Sequence, residues 1–134
     1  MILVDSSVWI DFFRGKPTAQ TEQLEAWLLG GKTLGIGDLN LVEVLQGCRF
    51  DAQFNEVRRR LALLPLVVLG GPDVAVEAAR NYRKLRALGV TVRGTIDVVL
   101  ATRCIVSGHQ LLHSDRDFDP FVQHLGLSCV GPDS

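Results

Sequence analysis

Five short apolar runs, separated by segments with helical spacing, restrict this 134-residue chain to few folds. They are Ile2-Leu3-Val4, Leu34-Gly35-Ile36 with the preceding Thr33, Leu66-Val67-Val68-Leu69, Gln110-Leu111-Leu112, and residues 127–130. None shows strict apolar–polar alternation, so each reads as a strand buried on both faces, the habit of a parallel sheet covered by helices. Helices are expected between them. One starts at Ser6 or Ser7, one covers 21–29 and stops at Gly30-Gly31, and Asp38 caps one over 38–46 that Gly47 ends. Others cover 51–64, stopped by Pro65, 73–88, closed by Gly89, and a segment capped by Thr95 that ends near Gly108. Pro120 opens a last short helix, with Asp119 as its cap. Strand and helix alternate throughout, which predicts an α/β fold: a single three-layer α/β/α sandwich over residues 1–134, around a mostly parallel sheet of about five strands.

Hydrophobic residues make up 47% and charged residues 22%, the balance of an ordinary globular domain. The apolar start ends at Asp5 without a basic segment before it, too short for a signal peptide, and no apolar stretch approaches the ~20 residues of a membrane span. A cytosolic protein is expected. Cys48, Cys104 and Cys129 are odd in number and lack paired spacing, so they read as buried thiols rather than a disulfide framework or zinc site. His109, His113 and His124 likewise lack metal-ligand spacing.

The acids are placed more tellingly. Asp5 follows the first strand and Asp115 and Asp117 follow the fourth; parallel sheets keep their functional crevice at such strand ends. Asp97 falls in the first turn of its helix, where the dipole favours any acid, yet Asp97, Ala101, Cys104 and Gly108 form a small-residue face that could pack close to the sheet. In the helix after the second strand, Leu41, Val44, Leu45 and Cys48 form one stripe, while Asn40, Glu43 and Gly47 form a second with room beside the carboxylate. Net charge is −1, but with ten acids against fourteen basic residues elsewhere, the chain outside these five acids carries +4. Such a clustered set of oxygen donors suits divalent cations of the Mg²⁺ or Mn²⁺ type. Loaded with them, it would attract a polyphosphate that the bare acids repel.

The ordered segments Val4-Asp5-Ser6-Ser7-Val8-Trp9-Ile10-Asp11-Phe12, Glu43-Val44-Leu45-Gln46-Gly47, Ile96-Asp97 and His113-Ser114-Asp115-Arg116-Asp117-Phe118 resemble the PIN-domain nucleases, in particular the VapC toxins of bacterial toxin–antitoxin pairs. The resemblance implies that Asp5, Glu43, Asp97 and Asp115 are an acidic quartet, with Asp117 a fifth acid. Ser6 matches a small hydroxyl that supports the site, and Ser114 stands where the family often has Asn or Thr. It further implies a Mg²⁺- or Mn²⁺-dependent endoribonuclease, with Asp5, Asp97, Asp115 and Asp117 holding metal. RNA, with tRNA a frequent target, would be the substrate, a VapB-type antitoxin the inhibitor, and a homodimer the assembly. Arg83 and Arg86 on the long helix, Arg93 before Thr95, and Arg116 are the cations expected to meet RNA phosphates. Trp9, Phe12 and Phe13, and the amphipathic segment carrying Arg58-Arg59-Arg60, are compatible with partner surfaces. Two other readings stand beside this one. A receiver-type signalling domain also keeps acids at strand ends, but Val4 precedes Asp5 and no Lys lies beyond Lys84. A non-catalytic module could use the acids only to bind metal and RNA.

Overall fold

The computed structural model describes residues 1–132. Four strands, β1 (Ile2–Val4), β2 (Leu34–Gly37), β3 (Leu66–Val67) and β4 (Gln110–Leu112), form a sheet in the order β3-β2-β1-β4, parallel throughout. Helices α1 (Ser6–Phe13), α2 (Ala19–Leu29), α3 (Asp38–Gln46) and α4 (Asp51–Leu61) lie on one face. On the other lie α5 (Pro72–Ala87), α6 (Thr95–Ser107) and α7 (Asp119–Leu125), the last preceded by a 3₁₀ turn at Arg116–Phe118.

The strand side chains divide between two cores, as the unalternating apolar runs require. Leu3 and Leu111 point into the core with Val74, Leu85, Leu100 and Phe121, while Ile2, Val4, Ile36 and Leu112 join Val8, Trp9, Leu24 and Val57 on the opposite face. Both faces of β1 are thereby buried, and the three-layer sandwich is the observed architecture. The fifth strand shrinks to one parallel bridge between Leu111 and Cys129, held by Leu111 N–H donating to Ser128 and Val130 N–H donating to Leu111. The third expected strand also shortens. Val68 is 61% exposed at the sheet edge, and the Leu69 amide donates to the Asp38 carboxylate at 3.0 Å instead of to a strand. Helix α4 stops at Leu61 rather than 64, because the chain before Pro65 tightens into turns.

The connections place β1 at a topological reversal. From β1 the chain winds outward through β2 to β3, then crosses to β4 on the other side of β1. The crevice beyond the carboxyl ends of β1 and β4 is thus the place where such folds hold ligands. Among the described residues no helix is long and apolar enough to cross a membrane, and all three cysteines are free. Cys104 is buried, its thiol pushed up to about 12 by that burial, whereas Cys48 and Cys129 are only partly covered.

Candidate active site

The β1–β4 ladder runs on by one hydrogen bond past β1, from the Asp5 amide to the Leu112 carbonyl at 3.0 Å, so Asp5 and the segment after Leu112 leave the sheet side by side. Asp5 is only 5% exposed. It also caps α1, in the role expected of Ser6 or Ser7: its Oδ2 accepts from the Ser7 amide at 3.3 Å and the Ser7 hydroxyl at 2.6 Å. Capping and site membership coexist, because one carboxylate oxygen satisfies the helix end while burial and the nearby Glu43 charge raise the group above the ordinary carboxylate range, against the lowering by Ser7.

Glu43 arrives from α3, where the expected polar stripe is realised. The Ser6 hydroxyl donates to Glu43 Oε1 at 2.7 Å, and the Asn40 carboxamide donates to Ser6 Oγ at 2.8 Å. Gly47 does not open space beside Glu43. It caps α3 and lines a small cavity with Ile10, Phe13 and Val57, and a Cβ there would meet nothing nearer than 3.6 Å.

Asp97 sits in the first turn of α6, whose face packs Ala101 and Cys104 fully into the core. Gly94, not Thr95, occupies the cap position, and a Cβ on it would fall 2.9 Å from Asp97 Oδ2. Gly37 likewise replaces Asp38 at the cap of α3, where a Cβ would fall 2.6 Å from Asn40 Oδ1. Both acid-bearing helices therefore begin at a glycine: a Cβ at Gly94 would crowd Asp97, and one at Gly37 would crowd Leu69 as closely as Asn40. Cap preference alone points to Asp38 and Thr95, and this crowding overrides it. Phe118 similarly replaces Asp119 at the start of α7.

Asp115 caps the 3₁₀ turn by accepting from the Asp117 amide at 2.9 Å, which tightens the backbone between the two acids. His113, with no functional role expected, accepts from the Asp115 amide through Nδ1 at 3.1 Å and packs on Phe118, so it shapes this turn. Ser114 is exposed, and among the described residues its hydroxyl meets that of Ser7, at 3.4 Å.

All five acids share one field. Burial first, then the charges of Asp5, Glu43, Asp115 and Asp117, push Asp97 up to about 7. The cations expected to face RNA form no ion pair with these acids among the described residues. Arg83, Arg93 and Arg116 are exposed and make no ion pair among the described residues, and Arg86 lies 5.6 Å over the Tyr82 ring. Yet no three acids, histidines or cysteines among the described residues stand close enough to grip one ion. The two facts are compatible, since charge acts over distances well beyond a coordination bond. Like-charge repulsion, with Asp5 and Glu43 engaged on serine hydroxyls, is reason enough for carboxylates to stand apart. The donor set is all oxygen and strongly negative, and it fits a hard divalent cation.

Comparison with known proteins identifies the family and the fold. The PIN domain profile matches residues 2–121. Ribonuclease VapC11 of Mycobacterium tuberculosis is 28% identical over 131 residues, covering 97% of this chain and 98% of its own. Among solved structures, DNA-bound VapBC of Salmonella typhimurium superposes with a TM-score of 0.75 at 16% identity, covering 96% of both chains. VapC20 of M. tuberculosis, described as a sarcin–ricin loop cleaving toxin, gives 0.70 at 16% identity over 98% of this chain and all of that one. The receiver reading falls away, and the chain belongs to the PIN domain family.

Proposed function

We propose that this protein is a Mg²⁺- or Mn²⁺-dependent endoribonuclease and the toxin of a toxin–antitoxin pair acting in the cytosol. The observation that carries the reading is Asp97, half-buried among four other acids and in no ion pair among the described residues. Burying uncompensated charge is costly, so such a cluster makes sense when positive charge arrives from outside. Asp5, Asp97 and Asp115 would hold a divalent ion, and Asp117 would complete the shell of a second. Bound there, a pair of such ions supplies water activation and neutralises charge on the leaving oxygen of a phosphodiester.

The chain's own residues do the rest. Asp97, pushed up to about 7 by burial and its acidic neighbours, would hold the cation in its ionised form. Glu43, held through Oε1 by Ser6, turns its other oxygen toward the attacking water and orients it. Arg83, Arg86, Arg93 and Arg116 are free to neutralise RNA phosphates, with tRNA one substrate to try. A groove of about 330 Å³ lined by Trp9, Phe12, Phe13, Leu28, Arg60 and the 85%-exposed Leu63 suits the apolar side of a VapB-type antitoxin segment. A homodimer is the expected assembly, and a monomer by light scattering at micromolar concentration would count against it.

The deciding assay is cleavage of total RNA by the purified protein in Mg²⁺ or Mn²⁺. The expected result is cutting that stops on chelation and returns on adding metal. RNA left intact under every metal condition would favour a silent metal- and RNA-binding module instead.

A further inference from the structure

Asn40 is the most enclosed polar side chain beside the acid edge, with none of its surface exposed. It lies three residues before Glu43 on α3, so the two share a face. Its Nδ2 donates to Ser6 Oγ at 2.8 Å and stands 3.5 Å from Glu43 Oε1, while Ser6 Oγ donates to the same Glu43 oxygen at 2.7 Å. The direction of this chain is fixed by chemistry. A carboxamide nitrogen only donates, an ionised carboxylate only accepts, and the serine has one proton to give. The Asn40 nitrogen cannot take that proton, so Ser6 gives it to Glu43.

The other end of the amide shows what this arrangement costs. Asn40 Oδ1 is buried and has no partner among the described residues, a rare state for a carbonyl oxygen. Turning the amide over would set Oδ1 against Ser6 Oγ and Glu43 Oε1, so that two acceptors compete for one hydroxyl proton. Gly37 leaves the space into which Oδ1 projects. A leucine of similar size would fill the same pocket with no unpaired oxygen, so packing alone does not account for Asn40. Glu43 Oε2 makes no hydrogen bond among the described residues.

We propose that Asn40 is a positioning residue which, through Ser6, locks Glu43 Oε1 in place and leaves Oε2 directed at the reaction. This rests on the nuclease reading, in which Glu43 orients the attacking water. Asn40 itself touches no substrate.

The test combines a double-mutant cycle with a measurement that needs no activity. On a labelled oligoribonucleotide spanning the strongest cut in total RNA, with saturating Mn²⁺, Asn40→Leu should lower kcat about 10-fold and move KM by less than about twofold. Ser6→Ala should do the same, and the double variant should lose no more than either single one. Parent-like kcat in Asn40→Leu, a rise in KM instead, or losses that multiply in the double variant would overturn the proposal. Should Asn40→Leu fail to fold, Asn40→Ser takes its place; if both unfold, Asn40 is a structural residue and the proposal is wrong. In the metal-free parent, the NMR signals of the Asn40 side-chain amide should be shifted downfield, protected from exchange, and displaced by Ser6→Ala. Signals of a solvent-exposed amide, or ones unmoved by Ser6→Ala, would equally overturn it. A parent inert toward RNA defeats the nuclease reading alone, and the amide signals still decide whether the hydrogen-bond chain exists.

Discussion

Asp73 and Asp97 both lie in the first turn of neighbouring helices, α5 and α6, and reach opposite electrostatic states. The Asp73 carboxylate accepts from both terminal nitrogens of Arg103, at 3.1 and 3.2 Å, and those bonds hold it below the usual range. Arg103 also donates to the carbonyls of Leu69 at 3.1 Å and Gly70 at 2.6 Å, closing the corner between β3 and α5. Asp97 has no such partner among the described residues; burial and four acids push it up to about 7. The helix dipole favours an acid equally at both places. Neighbours, more than helix position, decide that one aspartate is paired and held low while the other is pushed up to about 7.

The largest expected effect lies on the acid edge. Asp97→Asn should reduce RNA cleavage in Mn²⁺ by about 100- to 1,000-fold while leaving a folded protein. A variant cutting at the parent's rate would erase the distinction between the two aspartates. At the other corner, Arg103→Met should cost about 2 kcal/mol of stability, through the lost hydrogen bonds to the Leu69 and Gly70 carbonyls, read from urea unfolding. Its activity well below the unfolding transition should match the parent's. Gly94→Ala sharpens the comparison sterically, since its φ of −109° suits alanine and only the clash with Asp97 remains. We expect about a 10-fold loss of cleavage with little change in stability.

The pH dependence is smaller and carries a definite sign. An unfolded aspartate titrates near 3.8 and Asp97 in the folded protein near 7, so folding takes up a proton between those values. This group's stabilising contribution is complete below about pH 4 and is lost as pH rises to 7. Without metal, stability should therefore fall between pH 5 and pH 8 by about 1 kcal/mol through Asp97, after allowing for solvent screening of a half-exposed group. Asp97→Asn should remove that component and leave the smaller one from Asp5, which is raised in the same direction. Asp73, with its lowered value, contributes stability that is lost only at more acidic pH, outside this window. A urea midpoint with the same slope in parent and variant would contradict the assignment.

The parts of the molecule written in single-residue patterns were legible before folding. β4 and the bounds of α3 follow from apolar spacing, Gly47 and Gly108 end their helices, and Asp5, Glu43, Asp97, Asp115 and Asp117 are conspicuous as acids at strand ends or on helix faces. What escaped depends on contacts between distant segments. Asp38 and Thr95 have the chemistry of caps, but Gly37 and Gly94 hold those positions because Asn40 with Leu69, and Asp97, come within a methyl group's reach. Leu66-Val67-Val68-Leu69 has strong strand composition, but its last amide turns to Asp38. His113 looked incidental until the turn it supports was formed. The Ser6–Asn40 link joins residues 34 apart, a separation that no local pattern spans.

The central claim is that five separated acids act as one electrostatic unit awaiting a cation. It is tested most directly by following the side-chain carboxyl carbon of Asp97 by NMR through a pH titration, with and without Mg²⁺. The account predicts a midpoint near 7 in metal-free buffer that drops sharply when Mg²⁺ is added. A midpoint near 4 unaffected by Mg²⁺ would contradict it.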